Sequence, residues 1–144
     1  MIKNERQYRI TRSQAERFEK AIHEMEAARG NDAHPVLRKA EIDAMKSQME
    51  DLQHEIEEYE FLRSGKRKVV TLGSLEDLPN ALIQARIAAG LSQEDLAAKL
   101  GVKPQQIQRY EATDYQSASL EKVNKIFRIL GIKLQRPAEV RMNS

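Results

Sequence analysis

LSQEDLAAKLGVKPQQIQRYE, residues 91–111, spells two short helices separated by a tight turn. Ser92 is suited to cap the first helix, with Asp95 three residues on completing a near capping box. Leu96, Ala97 and Leu100 then give that helix one apolar face, and Gly101 ends it. Val102 is placed to fill the space between the helices. Pro104 suits the first turn of the second helix, where its missing N–H would be unpaired anyway, and this helix is expected to run to about Glu111.

In the second helix Ile107 and Tyr110 turn one side inward. Gln105 and Arg109, four apart, lie on the opposite side, flanked by Gln106 and Gln108. The outward face is therefore amide and guanidinium. Gln pairs in bidentate fashion with the N6 and N7 edge of adenine, and Arg with O6 and N7 of guanine, so a helix presenting both is equipped to read a DNA major groove. A merely solvated helix face uses the same residue types. The DNA reading is favoured because helix, glycine turn and helix occur together at the spacing of a helix-turn-helix motif.

From Leu78 to Ile132 the chain resembles the Cro and phage-repressor class of helix-turn-helix domain, the xenobiotic-response-element (XRE) family, which includes HigA-type antitoxins. The resemblance rests on R-x-x-x-G-L-S-Q at Arg86 to Gln93 and E-D-L-A-x-K-L-G-V at Glu94 to Val102. It continues in I-x-R-Y-E at Ile107 to Glu111 and in a closing helix, SLEKVNKIFRILGI. It implies that Lys103, Gln105, Gln106 and Arg109 lie at or near base edges, and that Gln93, at a helix start, meets a DNA phosphate. Gln108 is assigned to phosphate as well. The resemblance further implies a partly buried ion pair between Arg86 and Glu111. After Glu111 the pattern departs: many members continue with Asn-Gly and a proline, whereas this chain has Ala112 to Ala118. Thr113, Tyr115 and Ser117 remain as phosphate donors, with an ordinary polar turn as the alternative.

The rest of this region reads as core. Leu78, Leu82, Ala85 and Ala89 follow helical spacing before Gly90, and Leu120, Val123, Ile126, Phe127 and Leu130 do so between Ser119 and Gly131. Such stripes are core far more often than pocket, so no cofactor is assigned.

The N-terminal half is organised differently. Thr11, with Gln14 three residues on, offers a capping box, and Ala15, Phe18, Ile22 and Met25 form a stripe on a helix expected to stop near Gly30. A second helix is expected from about Pro35 to Arg63. Its seam, Ile42, Met45, Met49, Leu52, Ile56 and Tyr59, steps by threes and fours as in a coiled coil. The loop from Gly30 to His34 is short enough for an antiparallel hairpin, in which Phe18 and Ile22 cover Met45 and Met49. Hairpins pairing into a bundle across a twofold axis are the fuller expectation, and a monomeric hairpin is the alternative.

The expected fold class is all-α: an N-terminal helical hairpin or coiled coil over residues 1–64, a basic linker over 65–75, a four- to five-helix lambda-repressor-like domain over 76–133 and a tail over 134–144. Charge divides the same way. Residues 1–64 carry 11 Lys or Arg against 14 Asp or Glu, a net −3, while residues 65–144 carry 13 against 8, a net +5. The basic half is the half with the DNA-reading motif. In the linker, Lys66, Arg67 and Lys68 are solvated or add phosphate contacts.

No cysteine is present, which removes disulfide frameworks and thiolate chemistry. His23, His34 and His54 are scattered without a second ligand at metal spacing, and no phosphate-binding glycine loop occurs, so neither an enzyme nor a metal site is expected. No apolar run approaches a membrane span, and the polar start lacks the apolar core of a secretory signal, which suits a cytoplasmic, nucleoid-associated protein. The expected function is a homodimeric, sequence-specific transcriptional regulator, foremost a repressor, bound to an inverted repeat in double-stranded DNA. The alternative is an antitoxin whose N-terminal helices cover a protein toxin while its C-terminal domain represses the shared operon.

Overall fold

The computed structural model describes residues 1–28 and 34–143, divided into two compact units, Met1–Lys68 and Val69–Ser144. Among the described residues it is all-helical, with no strand.

The first unit is a helical hairpin of α1 (Glu5–Ala27) and α2 (Pro35–Arg63). Asn4, not Thr11, caps α1: its side chain accepts the Gln7 N–H at 2.8 Å. Thr11 lies inside the helix, where its hydroxyl donates to the Gln7 carbonyl at 2.9 Å. A threonine can satisfy itself in this way within a helix, so its capping chemistry is not decisive. The helix ends at Ala27; Gly30 and the loop up to residue 33 fall outside the described residues. In α2 the expected start at a proline in the first turn and end at Arg63 are both found.

Ion pairs at both ends make the hairpin antiparallel: Arg63 to Glu5 at 2.9 Å, and Lys46 to Glu26 at 2.7 Å. Near the open end the rings of Tyr8 and Tyr59 lie 5.1 Å apart, with the Arg63 guanidinium 4.9 Å from the first ring and 5.5 Å from the second. The Tyr8 hydroxyl donates to Glu60. This satisfies its polar end while the ring fills the apolar layer. Ile2 and Leu62 are buried near the same end, and Ile22 is buried farther along α1. Along the coil seam Tyr59 is buried, whereas Ile42, Met45, Met49, Leu52 and Ile56 are only half-buried. One flank of that seam is not covered by α1.

The second unit begins with a 3-10 turn, Leu75–Asp77, capped by Ser74, and continues as α3 (Leu78–Ala88), α4 (Gln93–Leu100), α5 (Pro104–Ala112) and α6 (Leu120–Ile129). Leu82, Ile83, Ile87, Leu96, Ala97, Ile107 and Ile126 form its core. Two of the expected stripes shift. On α3 the buried face is Leu82, Ile83, Arg86 and Ile87, while Ala89 is exposed. The bulkier chains bury more apolar area than alanine, and a charged residue shares their face because it is paired there. On α6 Leu120, the first residue of the helix, is 75% exposed, and Ile126 carries the deepest contact.

Candidate nucleic-acid interface

The local chemistry of residues 91–111 produces the expected pair of helices. Ser92 Oγ accepts the Asp95 N–H at 3.0 Å, and Asp95 Oδ2 accepts the Ser92 N–H at 2.9 Å, completing the capping box of α4. Hydrogen bonding from Ser92, first of all from its backbone N–H, holds the exposed Asp95 carboxyl below its ordinary range. Gly101 then turns left-handed, with φ +76°, at no side-chain cost. The Val102 N–H returns to the Ala97 carbonyl at 3.0 Å, closing the end of α4. Pro104 opens α5 one residue after Lys103, its N-cap.

The rotation of α5 about its own axis is set from behind. Glu111 is fully buried and accepts two hydrogen bonds from Arg86, from Nε at 2.6 Å and from Nη2 at 2.9 Å. Gln93 Nε2 adds a third at 2.7 Å, and Arg86 Nη1 reaches the Leu91 carbonyl at 2.8 Å. The Glu111 carboxylate thus joins α5 to α3 and to the start of α4, and its partner Arg86 also holds the turn before α4. Ile107 and Tyr110 are buried on the same side of α5 as Glu111.

With that side fixed inward, helical geometry turns the opposite one to solvent. Gln105, Arg109 and Ala112 are exposed in one stripe; Gln108 is exposed on one flank and Gln106 is half-buried on the other. Lys103 is exposed at the head of the helix. The structure therefore brings Lys103, Gln105, Gln106, Gln108 and Arg109 together on one accessible surface.

Gln93 and Tyr115 are placed otherwise. Gln93 is only 7% exposed, with its amide nitrogen held by Glu111, so in this conformation it braces the helices from inside. No spacing rule signals a contact across 18 residues. Tyr115, expected at phosphate, is corrected: its ring lies 5.8 Å from that of Tyr110, and its hydroxyl is buried with no hydrogen-bond partner among the described residues. Burial, reinforced by the nearby Glu111 charge, pushes its phenol well above the ordinary range.

Tyr115 reaches the interior through two consecutive left-handed residues, Asp114 at φ 50° and Tyr115 at φ 58°. Its N–H donates to the Tyr110 carbonyl at 2.7 Å. The glycine usual in this loop is missing, yet the backbone is left-handed. Aspartate tolerates that region; for tyrosine it is strained, and burial of the ring offsets the strain. Thr113 and Ser117 are exposed, and the Thr113 hydroxyl donates to the Arg109 carbonyl at 2.8 Å, tying the loop to the end of α5.

No helix among the described residues is long and apolar enough to cross a membrane. No curated protein and no solved structure matches the chain. Residues 82–136, however, match the family model described as helix-turn-helix. The likeness lies within the second unit and spans α4 and α5, the two helices built by residues 91–111.

Proposed function

We propose that this chain is a sequence-specific transcriptional repressor that inserts α5 into the DNA major groove. The observation that carries the reading is the exposed Gln105 and Arg109 stripe on a helix whose opposite side is clamped through Glu111. A helix that cannot rotate presents its base-reading groups already oriented, so less ordering entropy opposes binding. In this reading Gln105 and Arg109 meet base edges, with Lys103 and Gln106 beside them, and Gln108, Thr113 and Ser117 meet phosphates. Two chains acting as a dimer occupy an inverted repeat with half-site centres about 34 Å apart, and repression follows from covering a promoter.

Selection of bound sites from a random DNA pool tests it. The expected result is a two-part palindromic site whose preferred bases relax when Gln105 and Arg109 are both changed to alanine. An unselective pool, or a preference untouched by that double change, overturns the reading. The antitoxin reading uses the same DNA face and differs in what the hairpin holds. A short adjacent gene whose product is toxic alone would favour it.

A further inference from the structure

A groove of about 580 Å³ runs between α1 and α2 on one side of the hairpin. Phe18 and Ala21 line it from α1, Met45 and Leu52 from α2, and all four are half-buried. Arg17 and Asp51, one from each helix, border the same groove. Both are exposed, and neither has an ion-pair partner among the described residues.

We propose that this groove receives the hairpin of a second copy of the chain. The two hairpins are related by a twofold axis parallel to the helices, so that Arg17 meets the partner subunit's Asp51, and Asp51 meets the partner subunit's Arg17. The register of the hairpin supports this. The Glu5 to Arg63 and Glu26 to Lys46 pairs place Arg17 and Asp51 at about the same height on antiparallel helices. A twofold rotation about an axis along the helices preserves height and exchanges left for right, laying α1 of one copy over α2 of the other. Each cation then lies against an anion, and the two apolar floors close on each other.

All nearest neighbours in the resulting four-helix bundle are antiparallel, the arrangement that short connections favour. A foreign helix would have to supply an anion and a cation at that one height. A second copy supplies both by symmetry. The same axis sends both Arg63 ends out at one end of the bundle, which suits simultaneous engagement of two half-sites.

The proposal deepens the dimeric part of the function proposed above, and its test is run without DNA so that the two fail separately. Sedimentation equilibrium of the full chain over a wide concentration range is expected to show a dimer. Arg17→Asp and Asp51→Arg should each weaken self-association by about tenfold or more, since like charges then face each other, and the doubly swapped chain should recover to within about threefold. Circular dichroism should show equal helix content in all four proteins. A folded chain that stays monomeric at every concentration would overturn the proposal, leaving the groove to another protein or to solvent. So would a dimer indifferent to the single swaps, or one that the double swap fails to restore. Loss of sequence preference with the dimer intact would strike only the DNA-reading assignment.

Discussion

Arg86 and Glu111, 25 residues apart in sequence, form a bidentate pair at 2.6 and 2.9 Å, with 3% of one side chain and none of the other exposed. Two charges so deep in the protein are costly to desolvate, and the pair is tolerable because nearly every lone pair and proton is matched: Gln93 and the Leu91 carbonyl take what the partners leave.

Removing both partners should therefore cost less than the separate losses of each would suggest. Glu111→Gln and Arg86→Met are each expected to destabilise the second unit by about 3 kcal/mol or more, because each strands a buried charge. The combined change should cost less than the two singles added together. Gln93→Ala should cost less than either, since it leaves the ion pair in place. Amide resonances of α4 and α5 followed through a urea titration would report all four, with the hairpin resonances as an internal control. Additive losses would show that the pair is not the clamp.

Tyr115 gives a prediction of opposite sign. Its hydroxyl contributes no hydrogen bond within the described residues, while its ring packs against Tyr110. Tyr115→Phe should keep the packing, relieve the stranded hydroxyl and stabilise the unit by about 1 kcal/mol. It should leave DNA affinity unchanged. The alkaline limb should also change. The folded state holds this phenol protonated above its ordinary value of 10.0, so the protection it offers is complete below about pH 10 and is lost as pH rises further. In that window the wild-type chain should lose stability faster than Tyr115→Phe, by up to about 1.4 kcal/mol per pH unit. Parallel pH profiles for the two proteins would contradict the burial of the phenol.

What was legible beforehand was chemistry that acts within one helical turn. Pro35, the Ser92 and Asp95 box, Gly101 and Pro104 each set an element boundary through their own backbone requirements, and the boundaries stand where those residues put them. Thr11 shows the limit of such signals, because a cap residue inside a helix can turn its hydroxyl back to a carbonyl, and Asn4 then caps instead. The α3 stripe differs for another reason: Ile83 and Ile87 also follow helical spacing and bury more area than Ala85 and Ala89, so the buried face is rotated from the expected one, and the expected Arg86–Glu111 pair lies on it. Gln93 and Tyr115 were opaque likewise. Their positions are decided by a distant charge and by a left-handed turn formed without glycine.

The cap of α4 should show an acid limb. Ser92→Ala removes the acceptor for the Asp95 N–H and is expected to cost about 1 kcal/mol. Because Asp95 is held below its ordinary value in the folded state, its contribution is present above about pH 4 and is lost as pH falls through its lowered folded value. Asp95→Asn should therefore flatten part of the acid unfolding curve of the second unit. An acid limb identical in the variant and the wild type would remove Asp95 from that role.

Arg109 distinguishes reading from mere attraction. It stands in the exposed stripe with Gln105 on α5, which Glu111 holds from behind, so its side chain leaves the helix on the solvent side. If that group pairs in bidentate fashion with a guanine edge, Arg109→Lys keeps the charge and loses the planar fork. Binding to the selected site should fall by about 1–3 kcal/mol in Arg109→Lys, and a site altered at the matching base should bind the wild type and variant alike. The slope of affinity against salt should be preserved, since the number of cations meeting phosphate is unchanged. Fluorescence anisotropy on the two sites at several salt concentrations measures both quantities. Full retention of affinity in Arg109→Lys at the selected site would assign Arg109 to the phosphate backbone and leave the discrimination to Gln105 and its neighbours.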